Sequence, residues 1–226
     1  MSKKELNVLL VNAGPHPKGC TNWALDEVVK TLEENGIGTE RFWVGVKPIA
    51  SRISCKKCAE RGACVFDDKV NEFVELAPQF DGYVLGTPVH FGTATGAATS
   101  FFDRAFYVAL QSGTYLSYRM KPGASVVSCR RQGSTPTLDQ MNRYFELMQM
   151  PIVTSRYWNG VHGATPEQID EDAEGLQAMR SLALGDKNSA STHSGYIITP
   201  IPPNAAPCLA VLKHGGVNGE IAGERE

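Results

Sequence analysis

Near its start the chain carries a continuous run of apolar, β-favouring residues, Leu6 to Asn12, followed by a glycine-bearing loop and then by residues with a helical pattern. A half-exposed strand alternates apolar and polar residues, whereas this run does not, so both of its faces are predicted to be buried. Strands buried on both faces occur in parallel sheets that helices cover. The run therefore predicts a fold of the α/β class.

The rest of the chain continues this alternation of strands and helices. Five strands joined by helices predict right-handed crossovers and a doubly wound parallel sheet with helices on both faces. A final helix is expected between Pro166 and Leu184, with Thr165 as its cap. The later predicted strands are 42–44, 83–86, 124–128 and 151–154.

Length and composition indicate one main domain. The chain has 226 residues, 42% of them hydrophobic, and can bury one core, which we place at 1–185. The proline-rich segment 186–226 has no sustained period and is expected to be an extended or partly disordered tail. A formal net charge of -2 predicts no nucleic-acid or membrane partner. Because no signal-like or membrane-spanning stretch is found, we expect a cytoplasmic protein whose six cysteines are free thiols, metal ligands or redox groups.

The loop after the first strand is the first candidate binding segment. Backbone N–H groups at a helix N-terminus favour a bound anion, and Gly14 and Gly19 let the backbone approach it. A phosphate site is one interpretation. A glycine-bearing turn present only for steric reasons is the other, because the loop matches neither the P-loop nor GxGxxG. The candidate residues are Gly14, His16, Lys18, Gly19, Cys20, Thr21 and Asn22.

The loop after the third strand is suited to a flat ring. Its proline makes a rigid turn, its histidine and phenylalanine are planar, and its glycine leaves room for a ligand. An ordinary turn, with the phenylalanine in the core and the histidine solvated, is the alternative. The candidate residues are Pro88, Val89, His90, Phe91 and Gly92.

The loop after the fourth predicted strand places two arginines at the same sheet edge. One guanidinium could stabilise an anionic ring or hold a nucleotide phosphate, whereas a solvated arginine pair is the alternative. The charged pairs Asp67-Asp68 and Asp103-Arg104 are interpreted as charges at helix ends. The candidate residues are Ser128, Cys129, Arg130, Arg131 and Gly133.

Three further cysteines, Cys55, Cys58 and Cys64, lie close together in the sequence. Such a cluster can ligate zinc or an iron–sulfur cluster, but a closed site generally needs four ligands and no fourth cysteine is near. A redox-active pair or a loop of free thiols is the alternative interpretation. We therefore predict no metal ligand among them.

In the order of these segments, Leu6 to Leu184 resembles the flavodoxin-like NAD(P)H-dependent FMN reductases, especially the branch related to iron–sulfur flavoproteins. The family motifs GSPRKxGNT and GSPVYYGS correspond to Ala13 to Thr21 and to Gly86 to Thr93. The resemblance implies the sheet order 2-1-3-4-5 and FMN as the cofactor. This chain departs from the motifs at Gly14, His16, Cys20 and His90.

The resemblance also implies an activity. NAD(P)H would be the co-substrate, and a small-molecule electron acceptor such as a quinone, free flavin or nitroaromatic would be reduced, with no catalytic residue required from the protein. A homodimer or homotetramer is expected. The alternatives are a flavodoxin-type electron carrier and a redox or metal sensor built on the cysteine loop.

The cysteine loop of the iron–sulfur relatives reads CxxCxxCxxxxxC. When Cys55, Cys58 and Cys64 are aligned with its last three thiols, Arg52 stands at the first. The resemblance therefore argues against a complete four-cysteine iron–sulfur cluster in this chain.

Overall fold

The computed structural model describes residues 6–184. The boundary predicted after residue 185 and the tail predicted for 186–226 lie outside the described residues. No helix among 6–184 is long and apolar enough to cross a bilayer.

A parallel sheet forms the centre of the fold. The strands are β1 (Asn7–Asn12), β2 (Gly38–Trp43), β3 (Gly82–His90), β4 (Thr93–Ala94), β5 (Gly123–Cys129) and β6 (Gly160–His162). The parallel strands follow the order β2-β1-β3-β5-β6, and the short strand β4 pairs antiparallel with β3 and lies off this path. When β4 is set aside, the order is the predicted 2-1-3-4-5, so the doubly wound, flavodoxin-like fold is confirmed.

Helices cover both faces because alternate residues of the buried strands point to opposite sides. The helices are α1 (Cys20–Glu33), α2 (Cys58–Arg61), α3 (Lys69–Leu76), α4 (Gly96–Ser112), α5 (Ser134–Leu147), α6 (Pro166–Asp170) and α7 (Ala173–Leu184). Leu9 and Val11 pack with α3, α4 and α5, whereas Val8 and Leu10 pack with α1, α6 and α7.

The fifth parallel strand was predicted at the wrong place. Within 151–154 the pairing with the sheet is limited to one bridge between Ile152 and Gly123, in which Gly123 N donates to Pro151 O (2.9 Å) and Val153 N donates to Gly123 O (2.8 Å). The chain then turns through a loop that Asn159 closes, with its Oδ1 accepting from Ser155 N (3.2 Å) and its Nδ2 donating to Val153 O (3.4 Å). The strand proper therefore starts at Gly160.

The final helix is also divided. Thr165 caps it as predicted, accepting from the Gln168 N–H, but the helix ends at Asp170 and a second one starts at Ala173. Asp172 stands between them and accepts hydrogen bonds from the backbone N–H groups of His162 (2.7 Å) and Gly175 (2.9 Å). This carboxylate connects β6 to the start of α7.

Candidate functional site

The ends of β3 and β5 and the loops that follow β1, β5 and β6 meet at the carboxyl edge of the sheet and enclose a cavity of about 330 Å³. Ligands of doubly wound sheets bind at this edge, beside the point where the strand order reverses. The cavity is lined by Pro15, His16, Gly19, Cys20, Thr21, Pro88, Val89, His90, Ser128, Cys129, Arg130, Gly163 and Ala164.

The loop after β1 is shaped by Asn12, which is 4% exposed. Its Oδ1 accepts from Gly14 N (2.8 Å) and its Nδ2 donates to His16 O (3.3 Å). A Cβ at Gly14 would lie 2.9 Å from that Oδ1, so the tight turn requires glycine at this position. The loop is therefore held open by a side chain that the sequence did not single out.

The N-terminus of α1 faces this cavity. Its N-cap residue is Gly19, and no side chain caps the helix. The N–H groups of the first turn, at Cys20, Thr21 and Asn22, have no acceptor within the helix. Together with the helix dipole they favour an anion at this end of the cavity.

A pair of buried hydroxyl groups lies beside that helix end. Thr21 Oγ1 and Ser128 Oγ are 2.8 Å apart, and each residue is 3% exposed. Each hydroxyl carries one proton, and one proton is enough to join the two oxygens. The other hydroxyl remains able to donate to a ligand, and the pair also links the loops after β1 and β5.

The loop after β3 is a tight hairpin in which His90 pairs with Thr93. Pro88, Val89 and His90, predicted to lie in the loop, form the end of β3 and line the cavity. Phe91 does not: it stands at the tip, fully exposed, with a φ of 51°, a left-handed conformation that costs a bulky residue conformational energy. The alternative that places Phe91 in the core is therefore wrong, and its role as cover for a ring stays a prediction.

Gly133 explains how the loops after β3 and β5 fit together. Its φ is 94°, and a Cβ there would lie 2.8 Å from both the Gly92 Cα and the Val89 Cγ1. Only a residue without a side chain allows this approach. Gly92 and Gly133 thus shape the cavity wall without lining it.

The loop after β5 separates its two arginines. Arg130 lines the cavity, and Arg131 does not. Burial raises the pKa of the Cys129 thiol and that of the Cys20 thiol, so both are neutral at physiological pH. Neither is activated as a nucleophile.

Of the remaining predicted residues, Lys18 is exposed in the first loop and does not line the cavity. Asn22 is turned away, because its Nδ2 donates to Asp26 Oδ2 (2.9 Å) and its Oδ1 accepts from Arg41 (3.0 Å). Sequence reasoning missed three lining residues. Gly163 and Ala164 follow β6, and the glycine-rich sequence after a strand was the signal; Pro15 is the third.

The interpretation of Arg104 as a charge at a helix end was wrong. It lies inside α4, is 1% exposed, and pairs with Asp68, the N-cap of α3. Among residues 6–184, no three His, Cys, Asp or Glu side chains are placed to hold a metal ion.

The donors at the cavity fit a flavin nucleotide. The uncapped α1 N-terminus and the Thr21–Ser128 pair suit a phosphate monoester, and the wall of Pro88, Val89 and His90 suits the face of a ring. The loop after β1 can pass this close to Asn12 and Thr21 only because Gly14 has no Cβ.

The chain is similar to known flavoproteins. An iron–sulfur flavoprotein of Methanocaldococcus jannaschii is 28% identical over 182 residues, which are 78% of this chain and 93% of that protein. Among solved structures, RosB with a bound flavin-derived intermediate has a TM-score of 0.60 at 14% identity, covering 78% of this chain and 75% of that one. A WrbA-like flavodoxin from Agrobacterium tumefaciens has a TM-score of 0.53 at 11% identity, covering 78% and 91%.

The two structural likenesses support the fold alone. The family model described as NADPH-dependent FMN reductase matches residues 6–165, a span that contains all the residues that line the cavity. This chain therefore belongs to the NADPH-dependent FMN reductase family of oxidoreductases.

Proposed function

We propose that this chain binds FMN in the cavity at the sheet edge and reduces a small-molecule electron acceptor with NAD(P)H. The observation that carries the proposal is the meeting of an uncapped helix N-terminus with the buried Thr21–Ser128 hydroxyl pair in one cavity. A quinone, a free flavin or a nitroaromatic is the class of acceptor that we expect. The family match and the shape of the cavity support this proposal.

The phosphate is proposed to lie at the start of α1. The first-turn N–H groups would donate to its oxygens, and Thr21 or Ser128 would add a hydroxyl donor. Cys20 stands where the family motif has asparagine and is a weak donor. Backbone groups and hydroxyls therefore replace the side-chain amide in this proposal.

The ring is proposed to lie along Pro88, Val89 and His90, with Arg130 at the same cavity. A guanidinium is always charged at physiological pH, so it favours the more anionic state of a ligand beside it. Bound FMN would supply the hydride acceptor and the electron donor of the reaction. The neutral thiols of Cys20 and Cys129 fit a site in which the protein positions reactants without a nucleophile.

The test compares FMN with riboflavin, which lacks the phosphate. Fluorescence titration should show FMN binding at least about tenfold more tightly, because several charge-assisted bonds are lost with the phosphate. Equal affinity for the two flavins would contradict the placement of the phosphate at α1.

The arginine assignment has a matched control within the chain. Arg130→Gln should slow flavin reduction by NADPH, whereas Arg131→Gln removes the same charge one residue away and should leave the rate near that of the parent. Equal effects of the two variants would indicate a general charge effect rather than a contact at the ring.

We further propose a cytoplasmic homodimer or homotetramer with no nucleic-acid or membrane partner. The five cysteines among the described residues are free thiols, and the net charge is -2, which supports this setting. Phe91, exposed at the tip of the hairpin after β3, is a candidate contact for a second subunit. Light scattering after size-exclusion chromatography tests the assembly, and a monomer would overturn it.

A further inference from the structure

The cysteine loop lies outside the flavin cavity and forms a site of its own. Cys55, Cys58 and Cys64 line a second, small cavity of about 20 Å³, together with Arg52 and Arg104. A space of this size holds about one water molecule. The two positive-φ residues Ser54 (55°) and Lys56 (58°) flank the exposed Cys55.

The guanidinium of Arg104 contacts the sulfur of Cys64. Its Nε and its Nη2 each lie 3.2 Å from Cys64 Sγ, so the guanidinium donates two hydrogen bonds to the sulfur. The remaining donors reach both carboxylate oxygens of Asp68, at 2.7 Å and 3.0 Å. Burial alone would lower the pKa of Arg104, but the hydrogen bonds to Asp68 and Cys64 raise it, so the cation is retained.

The backbone of Cys64 is fixed as well. Asn71 Oδ1 accepts from Cys64 N (2.7 Å), and Asn71 Nδ2 donates to Cys64 O (3.2 Å). The residue remains partly exposed. Cys64 is therefore a sulfur held in one place, beside a buried cation, and within reach of small solutes.

These residues do not fit an iron–sulfur cluster. The cavity has room for one water molecule, the sulfur of Cys64 already accepts from Arg104, and the side chain of Arg52 stacks on the Tyr107 ring with its Cζ 3.8 Å from the centroid. The similarity to a protein named an iron–sulfur flavoprotein therefore does not assign a function to these three thiols in this chain.

Cys58 is the buried thiol that lines the cavity together with Cys64. It is 6% exposed, lines the same cavity, and starts α2, which ends where Gly62 N donates to Cys58 O (3.0 Å) and turns the chain back toward Cys64. Burial, followed by the neighbouring Cys55 and Cys64, raises the pKa of the Cys58 thiol. The Cys58 thiol is therefore protonated near neutral pH and, like Cys20 and Cys129, is not activated toward an oxidant by its surroundings.

We propose that Cys64 is a peroxide-reactive cysteine, oriented by Arg104, and that it forms a reversible disulfide with Cys58. The Cys64 sulfur attacks one oxygen of hydrogen peroxide; an S–O bond forms, the O–O bond breaks, and the leaving hydroxide takes the proton that the Cys64 thiol gives up to become water. Cys58 then attacks the oxidised sulfur; an S–S bond forms, the S–O bond breaks, and a second water leaves with the Cys58 proton. Two thiols are oxidised by two electrons while one peroxide is reduced.

Peptide mapping tests the pairing directly. Trypsin cleaves after Arg52, Lys56, Lys57, Arg61 and Lys69, which places Cys55, Cys58 and Cys64 on the separate peptides 53–56, 58–61 and 62–69. After treatment with hydrogen peroxide, blocking of free thiols and digestion without reductant, peptides 58–61 and 62–69 should be joined. A thiol reductant should separate them. A link of 53–56 to 58–61 that leaves Cys64 free would overturn the proposal, as would the absence of any link.

Variants test the chemistry of Cys64. In Cys58→Ser the oxidised sulfur lacks its proposed partner, so dimedone should label peptide 62–69 and not 53–56. Labelling of Cys55 first would contradict the assignment. This variant leaves Arg104 and its contacts in place.

The role of Arg104 has a matched control in Arg52, which lines the same cavity but stacks on Tyr107. Arg104→Gln should slow iodoacetamide alkylation of Cys64 at neutral pH by about tenfold and move its pH profile upward, because a nearby cation favours the thiolate. Arg52→Gln should change neither. If Arg104→Gln does not fold, the pH profile of Cys64 in the Cys58→Ser protein decides. A Cys64 that alkylates no faster than the exposed Cys55 near neutral pH would refute activation by Arg104.

Discussion

Replacement of Gly133 by alanine tests whether the cavity depends on the close approach of two loops. The residue has a φ of 94°, and an added Cβ would lie 2.8 Å from the backbone Cα of Gly92. The left-handed conformation costs a residue with a Cβ about 1–2 kcal/mol, and overpacking against backbone costs about 1–3 kcal/mol more. We therefore expect Gly133→Ala to lower the free energy of unfolding by about 2–5 kcal/mol.

Gly113 supplies the control. Its φ is 80°, and a Cβ there would meet nothing within 4 Å, so Gly113→Ala carries the conformational cost alone, about 1–2 kcal/mol. Urea unfolding of both variants measures the difference. In a chain of this size each kcal/mol lowers the melting temperature by roughly 2–4 °C, so thermal unfolding provides a second measurement.

The two variants should also differ in flavin binding. Gly133→Ala displaces Val89, which lines the cavity, and is expected to weaken FMN binding, whereas Gly113 lies beyond the end of α4 and its variant should bind FMN as the parent does. Equal losses of stability in the two variants, or unchanged FMN affinity in Gly133→Ala, would refute the role assigned to this approach.

Two further predictions follow from the buried polar groups. Thr21→Val removes one of the paired hydroxyls and should weaken FMN binding by roughly 3- to 10-fold, the value of one hydrogen bond, while riboflavin binding changes less. Fluorescence titration measures both affinities. A larger loss of affinity for riboflavin than for FMN would contradict the contact of Thr21 with the phosphate. Burial raises the pKa of Tyr83, Tyr118 and Tyr144 above the ordinary value of 10.0, so their contribution to stability is complete below that pH and is lost as pH rises above it. Ultraviolet titration should therefore show these phenols ionising together with alkaline unfolding, and their independent ionisation in the folded protein would contradict the burial.

The strands and loops that local patterns specify were predicted well. The run that became β1 is apolar on both faces because both faces are covered, and the loops after β1, β3 and β5 were identified because each follows such a run. The segment 151–154 has the same local character as a strand, yet it contacts β5 at one bridge only. The pairing of an edge strand depends on the loop before it, which no local period encodes.

Long-range contacts account for the other differences. Asp68 and Arg104 are distant in sequence. The helical pattern of α4 does not indicate that Arg104 is buried in contact with the Asp68 carboxylate and the Cys64 sulfur. The approach of Gly133 to Gly92 joins two loops in the same way. Sequence reasoning found the residue types at the site but not the contacts that orient them.

The most direct test of the proposed function is the absorbance spectrum of the FMN-loaded protein under anaerobic conditions, before and after addition of NADPH. The proposal predicts that the visible flavin bands disappear on addition of NADPH and return when a small quinone is added. Flavin bands that persist with both NADPH and NADH would contradict the reductase activity and favour an electron carrier. A protein that takes up no FMN would contradict the assignment of the cavity itself.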